Sequence, residues 1–200
     1  MAILPHRASR HRPLLLLLAT AGAATLLLAT LVTLTVTLTF SSFVTSVRLG
    51  PAFVPAEADG LIAADAPLTV DDDTHPALAR LDPGLLDALR AAQSAAEADG
   101  IRFDITSGWR SADLQRWLLA DAVRTYGSED VARQYVATPE LSSHVTGRAV
   151  DIGTLDAQLW LMDNGRRWGL CQTYANERWH IERATEPGGD CPPQKPDARG

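Results

Sequence analysis

The sequence predicts a domain of the mixed helix and strand class, preceded by one transmembrane helix. The transmembrane helix is indicated by a run from Leu14 to Val47 in which no residue carries a formal charge. The domain is indicated by the region after Asp82, where segments with the period of amphipathic helices alternate with segments with the two-residue period of half-buried strands. A chain of 200 residues has room for one such domain together with an anchor.

The apolar run over residues 14–40 is predicted to be an uncleaved membrane anchor. A membrane-crossing helix needs roughly 20 apolar residues, whereas the core of a signal peptide needs only about 7–15. Cleavage is the alternative, because Ala21-Gly22-Ala23 offers small residues, but the apolar run continues well past that point. Positive residues stay on the cytoplasmic side, and three precede the run: Arg7, Arg10 and Arg12. Residues 1–13 are therefore predicted to be a cytoplasmic basic tail, with the rest of the chain outside.

The charge of the outer part argues against one class of partner. All 24 acidic residues follow Arg48, whereas three of the 18 basic residues precede the anchor. The outer part thus has 15 basic against 24 acidic residues, a net charge of −9. Because nucleic acid is a polyanion, such a surface matches it poorly, and we expect no nucleic-acid partner.

The two cysteines of the sequence are Cys171 and Cys191, and both fall in the predicted exterior. Oxidising conditions outside the cytoplasm allow disulfides to persist, so we expect these two to be bridged. Neither cysteine has a partner at C-x-x-C spacing, which argues against a thiolate zinc site.

Residues 41–77 are predicted to be an extracytoplasmic linker. The segment is rich in Pro, Ala and Asp and has no sustained period. His75 follows the acidic run Asp71–Asp73, which raises the possibility of a metal site. A solvated linker is the favoured interpretation, because no apolar framework nearby would hold these groups in one geometry.

The first ordered elements are predicted to be a packing helix and a strand. Asp82 is placed as the helix cap and Pro83 as the first helical residue, and Gly100 marks the end. The apolar residues of this segment fall on one face: Leu85, Leu89, Ala92 and Ala96. The following residues 101–106 alternate apolar and polar positions, which predicts a half-buried strand.

Arg110 is predicted to lie at the corner between this strand and a second helix. Ser111 is placed to cap that helix, and Gly127 marks its end. A shorter helix is predicted from Ser128 to about Ala137. A corner projects its side chain over a cleft more readily than a mid-helix position does. From this stretch alone, a functional arginine and an ordinary surface arginine both remain possible.

The stretch "SSHVTGRAVDIG" brings a histidine and an aspartate together around a sharp turn. The alternation in "RAVDI" predicts a strand in which Ala149 and Asp151 share one face. Gly147 lets the backbone turn sharply before that strand, so His144 can fold back towards Asp151. This pair alone could bind a metal or form a simple hydrogen bond.

The stretch "NERWHIE" supplies a second histidine, His180, in a further segment with strand alternation. Two histidines and one aspartate form a set of three nitrogen and oxygen ligands that leaves a fourth tetrahedral position for water. This is the composition of a catalytic zinc site, because structural zinc sites are closed by four protein ligands. Glu177 lies three residues before His180 and outside the ligand set, where a general base for that water is needed.

These motifs, in this order and spacing, resemble one known family. "SGWRSADLQ", "SSHVTGRAVDIG" and "ERWHIE" are similar to the signature of the VanY-type D-alanyl-D-alanine carboxypeptidases, zinc peptidases of the bacterial cell wall. The resemblance covers roughly residues 78–182. The S-x-H-x-x-G-x-A-x-D segment with a later E-x-W-H is a specific signal, because four chemically distinct residues recur with fixed spacings.

The resemblance implies a fold and a site. The fold is a small α+β domain of the D-Ala-D-Ala carboxypeptidase/hedgehog-like type, in which helices flank a small antiparallel sheet. Zn²⁺ would be bound by His144, Asp151 and His180, with Glu177 as the catalytic base. Arg110 would meet the negative charge of the substrate or of the tetrahedral intermediate. Three further polar residues match motif positions that suggest substrate contacts: Ser107, Gln115 and Ser143.

The resemblance also implies a function and a place. The implied function is zinc-dependent hydrolysis of the terminal D-alanine of peptidoglycan stem peptides. The peptidase domain would span residues 78–193, followed by a tail over residues 194–200, and would lie outside a bacterial membrane with a single-pass anchor. The sequence departs from the commonest pattern at Trp109, where tyrosine or phenylalanine is frequent, and at Ser142-Ser143, where many relatives have Ser-Glu. Both changes leave the preferred peptide open.

Two alternative functions remain at this point. A peptidoglycan L,D-carboxypeptidase or endopeptidase would use the same zinc centre, because only the pocket decides which bond is cut. A non-catalytic wall-binding module that retains zinc is the second alternative. Glu177 argues against that module, because binding alone does not require a base beside the water.

Overall fold

The structure, a computed structural model, describes residues 28–35 and residues 53–200. Residues 28–35 are helical and fall inside the predicted anchor. The rest of that anchor and the predicted basic tail lie outside the described residues. Within the two described ranges, none of the helices combines the length and the apolar character that a membrane crossing requires.

The unit Phe53–Gly200 carries all of the sequence motifs. Its helices are α1 (Pro76–Ala79), α2 (Pro83–Ala96), α3 (Ala112–Tyr126), α4 (Glu129–Ala132) and α5 (Leu155–Asn164). Its strands are β1 (Ile105–Ser107), β2 (Ala149–Ile152), β3 (Leu170–Gln172) and β4 (His180–Arg183). Short 3-10 turns lie at Glu57–Asp59, Glu97–Asp99 and Gly165–Trp168. The predicted α+β class is confirmed.

The strands form one antiparallel sheet in the order β1-β2-β4-β3. The register places Asp151 of β2 opposite Ser107 of β1 on one side and opposite His180 of β4 on the other. Residues directly opposite each other in an antiparallel pair have neighbouring side chains. The sheet therefore brings an aspartate and a histidine together although 29 positions separate them in the sequence.

Helix α2 forms the core with the sheet. Asp82 caps the helix as predicted, because its Oδ1 accepts a hydrogen bond from the backbone N–H of Leu85 at 3.0 Å. The buried face of α2 consists of Leu85, Leu89, Ala92 and Ala96 and belongs to one cluster with Phe103, Ile105, Val150, Ile152 and Ile181. Burial of one such leucine side chain contributes roughly 1.5–3 kcal/mol. This packing fixes the plane of the sheet that carries the site.

The strand predicted over residues 101–106 is shifted towards the C-terminus and shortened to Ile105–Ser107. Before Ile105 the described chain forms no ladder with β2, and the one contact is the carbonyl of Asp104, which accepts a hydrogen bond from the N–H of Gly153 at 2.7 Å. Instead, the backbone N–H of Phe103 donates to the side-chain Oε1 of Gln93 at 2.6 Å, and Leu68 forms an isolated antiparallel bridge with Ile105. The alternation of apolar and polar residues over 101–106 therefore reflects a half-buried segment, of which only the end is paired in the sheet.

Residues 53–77 pack on the domain, although the sequence predicts a linker up to residue 77. Val70 is buried, Asp59 accepts a hydrogen bond from the hydroxyl of Ser111 at 2.9 Å, and Asp73 pairs with Arg90 at 2.8 Å. These contacts join single residues to the domain and leave no periodic pattern in the sequence. The compact unit therefore begins at Phe53 and not at Leu78.

A disulfide joins Cys171 to Cys191 across 20 positions, as predicted. A bridge that closes a loop of this length contributes about 3 kcal/mol by restricting the unfolded chain. The predicted tail over residues 194–200 also packs on the domain: Lys195 forms a parallel bridge with Tyr174, and the N–H of Ala198 donates to the Gln134 carbonyl at 3.2 Å. The disulfide and these bonds fix the C-terminal segment beside the sheet.

Candidate metal centre

Three predicted ligands meet at the centre of the sheet. Nε2 of His144 and Nδ1 of His180 each lie 3.4 Å from Oδ1 of Asp151, and the two nitrogens lie 3.2 Å apart. All three side chains are buried. Asp151 and His180 come from paired strands, and His144 comes from the loop that precedes β2.

A tight turn at Gly147 returns His144 to the sheet. Gly147 has a φ of +71°, and a Cβ atom there would lie 2.3 Å from the carbonyl oxygen of Arg80. Both facts exclude a side chain at this position. The turn is fixed from outside by the N–H of Asp82, which donates to the Gly147 carbonyl at 2.8 Å.

The arrangement of the three ligand atoms fits a tetrahedral zinc ion. Zinc bonds of about 2.0–2.1 Å hold two tetrahedral ligand atoms about 3.3–3.4 Å apart, and the three observed separations are 3.2–3.4 Å. Oδ1 of Asp151 is buried and has no hydrogen-bond donor among the described residues. A buried carboxylate oxygen without a donor is costly, and a metal ion at the meeting point of the three atoms would satisfy it.

Both histidine rings are oriented by a second contact. Nδ1 of His144 lies 2.8 Å from the carbonyl oxygen of Gly108, so it carries the proton and leaves the Nε2 lone pair towards Asp151. In His180 the roles of the two nitrogens are exchanged, because Nε2 lies 3.0 Å from Oε1 of Glu182 and Nδ1 faces Asp151. Sequence analysis did not single out Glu182.

The charged groups of the centre shift one another's pKa values. Burial opposes ionisation of Asp151, but His144, His180 and Arg110 outweigh it and hold the pKa of Asp151 well below its usual range. Burial lowers the pKa of His144. Burial also acts against protonation of His180, but Asp151 and Glu182 raise its pKa to about 9. Asp151 is therefore ionised and ready to bind a cation.

Glu177 lies beside the ligands without joining them. Its Oε2 is 3.8 Å from Nδ1 of His180, and its Oε1 is buried without a hydrogen-bond donor among the described residues. Burial, with a contribution from the charge of Asp151, raises the pKa of Glu177 to about 7. A carboxyl group with this pKa can both accept and return a proton near neutral pH.

Arg110 is held at the site by three side chains. Its Nη2 donates to Oδ2 of Asp151 at 2.8 Å, its Nε donates to the hydroxyl of Ser107 at 2.7 Å, and its Nη1 donates to Oε1 of Gln115 at 3.1 Å. Gln115 is fixed in turn by the carbonyl of Ala137 at 2.8 Å. Ser107 and Gln115, which the motif suggested as substrate contacts, therefore hold Arg110 in place.

The centre opens into a pocket of about 170 Å³. Arg110, Ser143 and Glu177 line it together with the three ligands. Its other walls include Leu118, Tyr135, Val136, Tyr174, Trp179 and Ala198. Trp109, which precedes Arg110, does not line this pocket. Its ring stacks under the guanidinium of Arg80 at 4.2 Å.

Comparison with known proteins identifies a family and relatives that this chain resembles. A family model described as VanY, D-alanyl-D-alanine carboxypeptidase, matches residues 78–186. A curated D-alanyl-D-alanine carboxypeptidase of Enterococcus faecalis is 29% identical over 137 residues, which cover 54% of this chain. The chain spans 50% of the length of that protein.

Two solved structures are also similar. One is a mutant of the vancomycin resistance D,D-pentapeptidase VanY from a VanB-type resistance cassette, in complex with Zn(II), with 28% identity and a TM-score of 0.48. The match covers 51% of this chain and 71% of that one. The other is the LdcB LD-carboxypeptidase, with 27% identity, a TM-score of 0.45, and coverage of 51% of this chain and 58% of that one.

Proposed function

Because the chain belongs to the VanY family of D-alanyl-D-alanine carboxypeptidases, we propose that it is a zinc-dependent D,D-carboxypeptidase acting on peptidoglycan stem peptides. One observation carries this proposal. The ligand atoms of His144, Asp151 and His180 converge at zinc-like separations in the pocket that also holds Glu177. The reaction is hydrolysis of the terminal peptide bond, which releases free D-alanine.

His144, Asp151 and His180 would hold the zinc ion. When bound, zinc acts as a Lewis acid and lowers the pKa of water from about 16 to about 7. The two second contacts of the histidines, to Gly108 and Glu182, direct Nε2 of His144 and Nδ1 of His180 at the centre, where each neutral ring would present its lone pair to the ion.

Glu177 serves as the general base and then as the general acid. Its carboxylate accepts a proton from the attacking water, whose oxygen forms a bond to the carbonyl carbon of the terminal peptide. Glu177 then returns the proton to the nitrogen of the leaving D-alanine as the C–N bond breaks. In the metal-free protein, burial raises the pKa of Glu177 to about 7, and a carboxyl group raised in this way can transfer a proton in both directions.

Arg110 binds negative charge on the substrate or on the intermediate. Its three contacts within the described domain use three of the five guanidinium N–H donors. Two donors remain for the terminal carboxylate of the peptide or for the oxyanion that develops during attack. Because the pocket is partly shielded from water, such hydrogen bonds stabilise charge more strongly than they would in solvent.

A product assay tests the function and separates it from the alternatives. Zinc-loaded protein should release D-alanine from a stem pentapeptide that ends in D-alanyl-D-alanine and should leave the matching tetrapeptide intact. Release of D-alanine from the tetrapeptide alone would identify an L,D-carboxypeptidase, and internal fragments from cross-linked peptides would identify an endopeptidase. Binding of zinc and peptide without any product would contradict an enzymatic role.

We also propose that residues 14–40 anchor the chain in a bacterial membrane with the peptidase domain outside. The support is the uncharged run in the sequence and the three arginines before it. After cell fractionation, the chain should be recovered with the membrane and be accessible to protease added outside intact spheroplasts. A variant lacking residues 14–40 should not be recovered with the membrane. Recovery of a shortened chain in the medium would instead indicate cleavage.

A further inference from the structure

Glu182 lies directly behind one of the proposed zinc ligands. It is two residues after His180 on β4, so both side chains project from the same face of the strand. Its Oε1 lies 3.0 Å from Nε2 of His180 and also accepts a hydrogen bond from the hydroxyl of Thr173 at 3.0 Å. The side chain is 20% exposed, so this carboxylate is largely shielded from water.

The contact decides which nitrogen of His180 can bind a metal. A neutral imidazole carries one N–H and one lone pair. If Nε2 donates its proton to Glu182, the lone pair is on Nδ1, the atom that lies 3.4 Å from Oδ1 of Asp151 and 3.2 Å from Nε2 of His144. The position of Glu182 thus selects the tautomer and the ring orientation that the centre requires.

We propose that Glu182 is a positioning residue of the metal centre, which holds the ring of His180 through Nε2 and directs Nδ1 at the ion. The proposal rests on the zinc site of the proposed function. A carboxylate behind a metal-bound histidine fixes the ring and increases the basicity of the ligand nitrogen. For His144 the corresponding partner is the backbone carbonyl of Gly108, which a side-chain substitution does not remove. Glu182 is therefore the partner whose effect on a histidine ligand can be tested by mutation.

Glu182 is itself held by the neighbouring strand, which a positioning role requires. Thr173, the residue after β3, donates its hydroxyl to Oε1 of Glu182 at 3.0 Å. Ser143, on the loop that carries His144, lines the same cavity as Glu182.

Zinc affinity measured on metal-free, refilled protein tests the proposal. Glu182→Ala should bind zinc about 10–100-fold more weakly than the parent, the usual loss when such a partner is removed. Glu182→Gln should recover most of that loss, because its amide oxygen can still accept the proton of Nε2. Glu186→Ala is the matched control: Glu186 lies four residues further along, is 91% exposed and pairs only with Arg183 in the described chain. Its zinc affinity should equal that of the parent.

Each outcome has a distinct meaning. Circular dichroism of the metal-free variants first shows whether Glu182→Ala is folded. If it is not, Thr173→Val is measured in its place, because it removes one of the hydrogen bonds that hold Glu182. Thr173→Val should then show a smaller loss of zinc affinity. Parental zinc affinity in a folded Glu182→Ala protein, or in Thr173→Val, overturns the positioning role and leaves the proposed function intact. A parent protein that binds no zinc contradicts the proposed function itself.

Discussion

Replacement of a proposed ligand, by His144→Ala, His180→Ala or Asp151→Asn, should remove zinc and abolish release of D-alanine. Three protein ligands are few enough that two cannot retain the ion. Loss of a residue that only holds a ligand in place costs about 10–100-fold in metal affinity. Loss of a direct ligand should therefore weaken zinc binding by more than about 100-fold. Metal analysis after gel filtration, together with the pentapeptide assay, measures both effects.

Asparagine is the better substitution at position 151, because Oδ2 of Asp151 accepts a hydrogen bond from the buried guanidinium of Arg110. Alanine would leave that cation without its partner, which typically costs 3–5 kcal/mol of stability and would confuse loss of zinc with loss of the fold. His75→Ala is the matched control, since His75 caps α1 through Nδ1 and belongs to no part of the centre. Full zinc occupancy in all three ligand variants would refute the assignment.

Glu177→Gln should keep zinc and lose most of its turnover. The amide has the size of the carboxylate but cannot accept a proton, and general acid–base catalysis contributes about 10²–10⁴-fold to rate. The deficit should appear in kcat and leave KM nearly unchanged, because the lost interaction is with the proton in transfer and not with the resting peptide. Steady-state kinetics on the pentapeptide, with metal content measured on the same sample, give both quantities.

The control for this experiment is Glu140→Gln, which makes the same chemical change at an exposed position of the loop before His144. Its kcat should match that of the parent. If the Glu177→Gln protein holds zinc and cleaves at the parental rate, another group accepts the proton and the mechanism proposed for Glu177 fails.

The positions of the proposed ligands follow from patterns that the sequence displays. Strand alternation placed Asp151 and His180 on strands, and Gly147 indicated the turn that returns His144 to them. These patterns are local and can be recognised in the sequence. The antiparallel pairing of β2 with β4 then brings the two strands, and with them Asp151 and His180, together. The mixture of helices and strands could be predicted for the same reason, whereas the antiparallel sheet was implied by the family resemblance.

Other features depend on contacts between distant side chains and could not be predicted in this way. The sequence shows that Ser107 and Gln115 are polar but not that both turn towards Arg110. Residues 53–77 attach through single residues such as Val70, which leave no period. Glu182 is different, because the strand alternation already placed it on the same face as His180. Asking which residues share a strand face with a ligand would have found it.

The bridge between Cys171 and Cys191 makes the outcome of any activity assay depend on where the protein was produced. Ala198, which lines the pocket, follows Cys191 by only seven positions. The disulfide therefore holds the segment that carries this wall residue to the domain by a covalent bond. Protein made in a reducing cytosol, or kept in a thiol buffer that also competes for zinc, could lose this wall while all proposed catalytic residues are present. A negative assay is therefore informative only for material that was exported or oxidised before purification.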